Sequence, residues 1–482
     1  MRPVLTPAEM TAADRVTIQE GVPEHVLVAR AAQAVVLVAL EMLGGTYGRR
    51  VVIVAGKGNN GADGVVASRM LRARGVRVDV FELAASSDAA FLDRLDRALA
   101  RADLAIDAMF GTGFRGELES AAAAVAERLR TVPTLAVDIP SGVDGATGAV
   151  GAIAVKADVT VAMAARKRGH CFEPGRSHSG RVVVADIGVA IPPGDVDVVE
   201  DADITALLPA RSITAHKWDA AVLIVSGSRG MTGAPALVGR AALRSGAGMV
   251  HVAVPGVAVA DALPAGELVV RVLSSTDDGT FSRESARGVL EMAGRFGAIV
   301  IGPGLGTDGR TATMVQQVVA EAPVPIVVDA DALSALAGDL SPLRIRATGG
   351  LPPAVLTPHD GEYRRLLGHR PDRDRVVAAR ELANATRQVV LCKGPATVVA
   401  SPNGEATINP TGGPALATAG TGDVLSGVIG ALAARGLAPA AAAAVGAYVH
   451  GRAGEMLPVG AVAGDLIEQL PSTLAAFTDR GD

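Results

Sequence analysis

Residues 49–64 have the sequence RRVVIVAGKGNNGADG, and this stretch decides the fold. The apolar, β-branched run over 49–55 predicts a buried strand, and the glycine-rich segment after it predicts a tight turn into a helix over 64–74. A strand that is apolar on both faces is typical of a parallel sheet covered by helices on each side. We therefore expect an α/β domain whose ligand-binding loops follow the carboxyl ends of its strands.

The same alternation of strand and helix extends outward along the whole chain. Further strands of the first half are predicted over 76–83, 104–108, 134–137, 159–163 and 182–185, with a helix over 121–130. A second series is predicted over 221–225, 249–254, 298–301, 326–328, 354–356, 389–391 and 397–400. A proline-rich and acidic segment separates the two series, so we place a linker near residues 191–210. The pattern predicts an α/β fold class with two three-layer αβα domains, over 1–200 and 208–482.

Composition excludes several classes of protein. The 482 residues carry 45 Lys and Arg against 50 Asp and Glu, a net charge of −5, which argues against binding to nucleic acid or to an anionic membrane. Aromatic residues make up 2%, too few for the stacking platforms of single-strand binders. The two cysteines form neither a disulfide framework nor a metal motif, so a reduced, cytoplasmic setting is expected. No stretch predicts a membrane span or an export signal.

The first glycine-rich loop leaves two interpretations open. Residues 56–61, GKGNNG, satisfy the GxGxxG pattern, and Asp79 or Glu82 supplies an acid about 20 residues further on, as in a dinucleotide-binding dehydrogenase. A plain turn between strand and helix explains the glycines as well. The asparagine pair and Asp63 suit a pyrophosphate poorly, because its oxygens must reach backbone N–H groups. Amide and carboxylate oxygens suit a hydroxyl-rich ligand or a hard cation better.

Two later strands end in similar polar loops. Asp107 ends one strand and precedes the glycine-rich residues 111–116, and Asp138 ends another and precedes Pro140-Ser141-Gly142. An aspartate at such a place is often only a turn residue or a helix cap. Three consecutive strand-end clusters nevertheless favour one shared site at the carboxyl edge of the sheet.

The strings NNGADG, DAMFGTGFRG and VDIPSGVDGATG, in this order, resemble the NAD(P)H-hydrate epimerase family over residues 1–190. The resemblance implies a Rossmann-like domain and a potassium site formed by Asn60, Asp107 and Ser141. Ala29 stands where the family commonly has Glu, and Ala62 where it has glycine. The resemblance also implies substrate contacts at Asn59, Asn60, Gly61, Ala62, Asp63, Gly111, Thr112, Gly113, Phe114, Arg115, Gly116, Glu117 and Asp138.

The strongest motif of the second half is TAGTGDVL at residues 418–425. Small residues that lead into a helix expose backbone N–H groups, which together form an anion-binding site. Asp423 lies at this helix start, where it can accept a proton from a substrate hydroxyl. Phosphoryl transfer needs both parts, so the motif favours a phosphoryl-transfer site over a glycine-rich turn with an aspartate cap.

Other strand-end loops of the second half carry similar chemistry. Lys393 opens the segment KGPAT, which suits the phosphates of a nucleotide, and the glycines of GPGLG at 302–306 allow a ligand to approach the backbone. His359, in TPHDGE, is favoured as a ligand contact over a structural role. Asp329 and Asp331 in VVDADAL either hold Mg²⁺ or cap the following helix.

The strings HKWDAAVLIVSGSRGMTGAPALVGRAALRSGAGMV, IGPGLG, VVDADAL, LTPHDGE and GTGDVLSG together resemble the NAD(P)H-hydrate dehydratase family, within the ribokinase-like superfamily, over residues 210–470. Trp218-Asp219 and Gly413 depart from the family pattern. The resemblance implies contacts to the hydrated nicotinamide from Ala234, from Gly304 or Gly306, and from His359 and Asp423. It implies contacts to the nucleotide from Lys393, Gly394, Pro395, Ala396, Thr397, Gly420, Thr421 and Gly422.

Together, the two resemblances imply an enzyme of nicotinamide nucleotide repair, both an isomerase and a lyase. One half epimerises the R and S forms of hydrated NADH and NADPH, and the other dehydrates the S form at the expense of ADP, giving AMP and phosphate. Asp423 and Asp138 are the expected catalytic residues, and Lys167 is a second acid–base candidate. ADP, Mg²⁺, K⁺ and a homo-oligomer are expected. A ribokinase-like vitamin-precursor kinase with an accessory Rossmann-like domain, and a non-catalytic binding module, are the alternatives.

Overall fold

The protein is described by a computed structural model that covers residues 1–83, 88–192 and 194–478. Pro193, within the predicted linker, and residues 479–482, at the end of the predicted second domain, lie outside the described residues. The chain divides into two compact units. Arg2–Val196 forms the first unit, and Asp197–Asp482 forms the second together with Met1.

The first unit is built on a parallel sheet with the strand order β3-β2-β4-β5-β6-β8. Its strands are β1 (Arg2–Leu5), β2 (Arg50–Ala55), β3 (Arg77–Glu82), β4 (Leu104–Ala108), β5 (Thr134–Val137), β6 (Val159–Met163), β7 (Arg166–Lys167) and β8 (Arg181–Ala185). Its helices are α1 (Pro7–Gln19), α2 (Glu24–Leu43), α3 (Asn59–Ala73), α4 (Ala89–Leu99), α5 (Ser120–Leu129) and α6 (Gly175–Ser179).

The central strand β2 shows why this unit has three layers. Val51 and Ile53 pack into one core with α2 and α3, while Val52 and Val54 pack into a second core with α4 and α5. Successive side chains of a strand point to opposite faces, so an uninterrupted apolar run fills both cores at once. The predicted α/β class and the three-layer arrangement are confirmed here.

Helix α3 begins earlier than predicted. It begins at Asn59 rather than at residue 64, so Asn59–Asp63 occupy its first turns and do not form a loop. A Cβ atom on Gly61 would lie 1.9 Å from the carbonyl oxygen of Gly56, and only glycine permits this close approach of helix to strand end. Both outer glycines of GKGNNG therefore serve backbone packing.

The second unit contains a larger sheet with the strand order β12-β11-β10-β13-β14-β15-β16-β17-β18. The strands from here on are β9 (Val196–Val198), β10 (Ala221–Val225), β11 (Met249–Pro255), β12 (Val269–Leu273), β13 (Ala298–Ile301), β14 (Ile326–Val328), β15 (Ala354–Leu356), β16 (Val389–Cys392), β17 (Thr397–Ala400) and β18 (Ala406–Asn409). The helices are α7 (Asp201–Leu207), α8 (Gly233–Arg244), α9 (Gly256–Ala262), α10 (Ser285–Ala293), α11 (Gly309–Glu321), α12 (Asp331–Ala335), α13 (Ser341–Thr348), α14 (Asp360–Leu367), α15 (Arg375–Thr386), α16 (Thr421–Ala434), α17 (Pro439–Glu455) and α18 (Ala463–Thr478).

This sheet is parallel from β12 to β16 and antiparallel over β16, β17 and β18. Helices α8, α16, α17 and α18 pack on one face, against residues such as Val222 and Val300. Leu223 and Ile299, which point to the other face, are fully buried as well. The unit is thus also a three-layer αβα domain, as predicted.

The predicted linker near 191–210 is largely structured, which corrects the interpretation of that segment. It contains β9 and α7, and Ile204 of α7 is fully buried. The hydroxyl of Tyr448 donates to Oδ1 of Asp201 at 2.6 Å, which ties α7 to α17. The acidic residues of the segment therefore serve helix α7 and its contacts.

Within the described residues, α2 is the one helix whose length and hydropathy would suffice to cross a membrane. Several of its apolar side chains, among them Ala32, Val35 and Val36, belong to the first core of the unit. The core helix of a globular domain satisfies the same criterion, so the finding by itself does not indicate a membrane protein.

Candidate active sites

A cavity of about 510 Å³ opens at the carboxyl edge of the first unit's sheet. Most of the residues predicted for the first site line it together, as expected for loops that follow neighbouring parallel strands. These residues are Asn59, Asn60, Asp63, Gly111, Thr112, Gly113, Phe114 and Asp138. Lys167, the second acid–base candidate, lines the same cavity.

Five predicted contact residues do not line this cavity: Gly61, Ala62, Arg115, Gly116 and Glu117. Gly61 packs against the backbone of Gly56. The side chain of Glu117 lies against Gly151, where a Cβ atom would come within 2.6 Å of Glu117 Cγ. Ala62 lies inside α3 and is not among the residues with positive φ, so its methyl group introduces no backbone strain.

Asp138 is held at the cavity by a dense set of contacts. Its φ of +67° is rare for a residue other than glycine, and such strain is concentrated at functional sites. Its Oδ2 accepts from Thr112 N at 3.1 Å, and its Oδ1 accepts from Met163 N at 3.2 Å and from the ammonium of Lys167. Lys167 is fully buried and also donates to the carbonyl of Met163 at 2.8 Å. The pair is thus a preorganised carboxylate with an ammonium beside it.

Two carboxyl groups of this cavity have opposite ionisation tendencies. Burial alone would raise the pKa of Asp138, but the charge and hydrogen bond of Lys167 outweigh it, and the pKa lies below its ordinary value. Burial, and then the charge of Asp138, raise the pKa of Asp63 to about 8. At neutral pH, Asp138 is therefore ionised and Asp63 is protonated, and such a split is typical of acid–base sites.

Helix α1 adds a group that the sequence analysis missed. Asp14 lines the cavity beside Met10 and Thr11. Its pKa is raised by burial and by the charge of Asp138, while Lys167 acts in the opposite direction. No strand end or glycine loop marks this part of the sequence, so only the folded helix reveals that it reaches the site.

Asp107 and Ser141 form a polar centre next to this cavity. Asp107 is fully buried; its Oδ1 accepts from Ser141 Oγ at 2.7 Å, and its Oδ2 accepts from Ser141 N at 2.8 Å. Burial raises the pKa of Asp107 to about 6. In the described part of the chain, the buried Nδ2 atom of Asn60 has no hydrogen-bond partner. The Asn60 side chain lies against Gly111, where a Cβ atom would come within 3.3 Å of its amide oxygen.

The second unit centres on Lys393, at the end of β16. Its ammonium lies 2.8 Å from Oδ1 of Asp329 and 3.7 Å from Oε2 of Glu362. The other oxygen of Asp329 accepts from Ser426 Oγ at 2.7 Å. Desolvation would lower the pKa of Lys393, but the two carboxylates outweigh it and raise the pKa. Lys393 and Asp329 were predicted as separate site residues, and their pairing was not predicted.

Asp423 lies in the first turn of α16, directly beside this charge cluster. Gly420 caps the helix with φ +89°, a left-handed conformation that favours glycine. A Cβ atom on Gly422 would lie 3.6 Å from the ammonium of Lys393. Burial, and then the charge of Asp329, raise the pKa of Asp423 to about 7. A base that titrates near neutral pH and the N–H groups of a helix start are thus brought together.

The remaining predicted contacts to the nicotinamide lie in or against the glycine loop at 302–306 and at the start of α14. Gly304, with φ +67°, lies against Ala234, since a Cβ atom there would come within 3.2 Å of Ala234 Cβ. Gly306 N donates to Oδ2 of Asp331 at 2.8 Å, so Asp331 holds this glycine loop. His359 caps α14: its Nδ1 accepts from the backbone N–H of residue 361 at 2.9 Å, while about half of the side chain is exposed.

Arg375 contacts the predicted nucleotide segment, and Trp218, a departure from the family pattern, contacts two other rings. Arg375 donates to the carbonyl of Lys393 at 2.6 Å and lies against Gly394, which fixes the KGPAT turn. Trp218 packs against His251 and Phe296 in edge-on and tilted contacts, with ring centroids 5.5 and 5.7 Å away. This departure therefore serves a local aromatic cluster.

Family models match both halves of the chain. Residues 222–475 match the model described as NAD(P)H-hydrate dehydratase. Residues 24–94 and 85–169 match the model described as YjeF-related protein N-terminus. The Bacillus subtilis ADP/ATP-dependent NAD(P)H-hydrate dehydratase, in a crystal structure with ATP and Mg²⁺, is 30% identical with a TM-score of 0.50, covering 58% of this chain and 99% of that one.

Full-length relatives carry both halves. The protein named bifunctional NAD(P)H-hydrate repair enzyme Nnr from Moorella thermoacetica is 40% identical, over 98% of this chain and 96% of its own length. The protein of the same name from Salinibacter ruber is 38% identical, over 99% of this chain and 97% of its own length. The chain therefore belongs to the bifunctional NAD(P)H-hydrate repair enzyme family, and it is an enzyme that unites the epimerase and dehydratase activities of that family.

Proposed function

We propose that the first unit epimerises hydrated NADH and NADPH and that the second dehydrates the S epimer with ADP as phosphoryl donor. One observation carries the proposal. Asp423, with a pKa of about 7, lies at a glycine-capped helix start beside Lys393, which combines a base and an anion-binding site. The cavity around Asp138, with its own acid–base groups, supplies a second and separate site.

In the first unit, the hydroxyl on C6 of the hydrated nicotinamide leaves as the ring nitrogen donates its electron pair, and water returns to the resulting iminium from either face. Loss of the hydroxyl needs a proton donor, and return of water needs an acceptor. Asp138, ionised beside Lys167, is the proposed acceptor, and the ammonium of Lys167 is the proposed donor of the proton that leaves with the hydroxyl as water. The residues of Asn59–Asp63 and of the 111–114 loop that line the cavity are the proposed substrate contacts.

In the second unit, Asp423 accepts the proton of the C6 hydroxyl while that oxygen attacks the terminal phosphorus of ADP, and AMP leaves. The C6–O bond then breaks, phosphate departs, and the electron pair of the ring nitrogen forms the iminium. Loss of the C5 proton restores the C5–C6 double bond of NAD(P)H. Ala234, Gly304, Gly306 and His359 are the proposed contacts to the nicotinamide half.

The nucleotide is proposed to bind along residues 393–397 and 420–422, at the start of α16. The Bacillus subtilis relative, which is named ADP/ATP-dependent, was crystallised with ATP and Mg²⁺. We propose ADP for this chain because it resembles the bacterial members of the family, which use ADP. Within the described ranges, no cluster of three or more acidic, histidine or cysteine side chains is arranged to hold a metal ion. Mg²⁺ is proposed to bind with the nucleotide, because proteins commonly hold it through substrate phosphates and water, where it neutralises charge on the transferring group.

A potassium ion fits the residues Asn60, Asp107 and Ser141 of the first unit. Asp107 is a fully buried carboxylate, and in the described residues the groups that lower its pKa are the hydrogen bonds from Ser141 and Met109 and not a basic side chain. Oxygen ligands of this kind suit a hard monovalent cation, which would keep Asp107 ionised. Ser141 also connects this centre to the loop that carries Gly111, because Phe110 N donates to Ser141 Oγ at 2.9 Å.

The test uses the full chain and hydrated NADH prepared as separated R and S epimers. With ADP, Mg²⁺ and K⁺, we expect both epimers to regain the absorbance of NADH, with release of AMP and phosphate. Without ADP, we expect only interconversion of the epimers. A stable phosphoester with no recovery of NADH would support the small-molecule kinase instead, and binding without turnover would support a binding module.

A further inference from the structure

Helix α17 forms a close-packed support for the chain segment that leads to the GTGD motif. Two of its backbone carbonyls accept hydrogen bonds from this segment: Tyr448 O from Thr411 Oγ1 at 3.0 Å, and Ala447 O from Asn409 Nδ2 at 3.0 Å. A Cβ atom on Gly451 would lie 2.1 Å from Thr411 Oγ1. The small face of α17 therefore holds the segment at a fixed distance.

His450 continues this support into the motif itself. It is buried, and its Nε2 atom lies 2.9 Å from the backbone carbonyl oxygen of Thr421. A carbonyl oxygen only accepts, so Nε2 carries the proton, and burial lowers the pKa of His450 to about 4, which keeps the ring neutral. His450 is therefore a fixed neutral donor at physiological pH.

The hydrogen bond from His450 is accepted by Thr421, which precedes the proposed base Asp423 by two residues. Thr421 is the first residue of α16, and Asp423 follows in the same turn. The Thr421 hydroxyl lies 2.8 Å from the carbonyl oxygen of Leu416 and 2.9 Å from that of Thr418, so its one proton is held between the two acceptors. His450 secures the carbonyl of Thr421, so the hydroxyl and the carbonyl of this residue are both held by hydrogen bonds. The bond from α17 thus acts on the first residue of the helical turn that contains Asp423.

We propose that His450 is a positioning residue for the dehydration reaction: through its bond to the Thr421 carbonyl it aligns the first turn of α16, and hence Asp423, with the transferring phosphoryl group. The proposal rests on the proposed dehydration at Asp423. It assigns His450 no contact with substrate. A small misalignment between Asp423 and the transferring phosphoryl group lowers the rate of the chemical step more than it weakens substrate binding. We therefore expect kcat to depend on the bond from His450.

Three substitutions in the full chain separate this role from general packing. The amide nitrogen of a glutamine side chain can donate from near the position of the imidazole Nε2–H, so His450→Gln should keep kcat for dehydration within about threefold. His450→Asn is polar but too short to reach Thr421, and His450→Leu removes the donor. Both should lose roughly 10- to 100-fold in kcat, with the Michaelis constant for ADP changed less than about threefold.

Epimerisation by the first unit of the same molecules is the internal control, and it should be unchanged in all three variants. Circular dichroism and thermal unfolding check that the second unit is folded, and if His450→Leu does not fold, the comparison of His450→Gln with His450→Asn decides. The proposal is overturned if the asparagine variant keeps the kcat of the parent chain, if the glutamine variant is as impaired as the asparagine variant, or if the loss lies in the Michaelis constant alone. Absence of dehydration in the parent chain would instead refute the proposed function.

Discussion

The ammonium nitrogen of Lys393 lies 2.8 Å from Oδ1 of Asp329, a carboxylate that is only 1% exposed. Lys393 is therefore already paired before any phosphate binds, and it neutralises charge that would otherwise repel both Asp423 and a nucleotide. Its proposed role at the nucleotide thus comes in addition to a structural one, and this double role makes Lys393 the most informative residue to replace.

Lys393→Met should destabilise the second unit, because it leaves Asp329 buried without its cation. Breaking a buried pair in this way typically costs about 3–5 kcal/mol. Urea unfolding measures the change, and Lys217→Met, at an exposed lysine of the same unit, is the matched control. An equal effect of the two substitutions would show that the pair contributes nothing to the free energy of unfolding.

The pH dependence of that destabilisation has a defined sign. In the parent chain the pKa of Asp329 is lowered, despite its burial, by Lys393, so the carboxylate contributes stability above its unfolded pKa, and this is lost as the pH falls through the folded pKa. Without Lys393, burial dominates and raises that pKa. The difference between parent and variant should therefore be largest near pH 7 and should shrink as the pH approaches 4. A difference that is constant with pH would contradict this assignment.

Asp423→Asn should abolish dehydration and leave epimerisation intact, because the amide accepts no proton. Since the pKa of Asp423 is raised to about 7, the proposed base is ionised only above that pH. In the parent chain, kcat/KM for dehydration should therefore rise with pH through about 7 and then level off. Stopped assays of AMP release over pH 5.5–8.5 measure the profile. Loss of both activities in a folded Asp423→Asn protein would contradict two separate sites.

Asp63→Asn should stabilise the first unit at alkaline pH. Burial and Asp138 raise the pKa of Asp63 to about 8, so between its unfolded pKa and 8 the folded state binds more protons, and stability falls as the pH rises. Asparagine removes this penalty, which grows by up to about 1.4 kcal/mol per pH unit over that window. Chemical unfolding at pH 5 and pH 8 tests it, with the exposed Asp79→Asn as control. An advantage that is no larger at pH 8 than at pH 5 would be inconsistent with a protonated Asp63.

The sequence predicted the α/β class and most strands because buried parallel strands are continuous apolar runs. β4, β5, β6, β10, β13, β14, β15 and β17 lie at the predicted bounds. The same logic placed polar residues at strand ends, and eight of those predicted for the first site line one cavity. The start of α3 was missed, because GKGNNG has the composition of a loop although Asn59 is helical.

Relationships between distant elements could not be predicted from the local pattern. Asp14 reaches the first cavity from α1, and His450 reaches the GTGD motif from an alanine-rich helix that has no glycine loop or strand end nearby. The pairing of Lys393 with Asp329 joins two separately predicted loops. A lone histidine in an alanine-rich helix gave no local sign of this contact, and most such residues are structural.

Gly61→Ala should abolish epimerisation, whereas Ala62→Gly should preserve it. A methyl group on Gly61 would lie 1.9 Å from the oxygen of Gly56, so the start of α3 would have to move away from the strand end. Ala62 meets no such restriction, and glycine there should only cost about 1 kcal/mol of helix stability. Epimerisation rates of the two variants, with dehydration by the second unit as control, distinguish them. Equal activities would show that the close backbone packing is not required.

Arg346→Met should strongly destabilise the second unit, although Arg346 lies in no predicted site. Its guanidinium is fully buried and donates to the carbonyls of Pro352 at 2.7 Å, Val324 at 2.6 Å, Ala322 at 2.8 Å and Val319 at 3.2 Å. Methionine fills much of the volume but leaves these carbonyls without donors, at a cost of about 3–5 kcal/mol. Arg344→Met, on the same helix and exposed, is the control for lost charge and helix propensity. Urea unfolding should therefore separate the two variants by several kcal/mol; a difference below about 1 kcal/mol would mean that water replaces the lost donors.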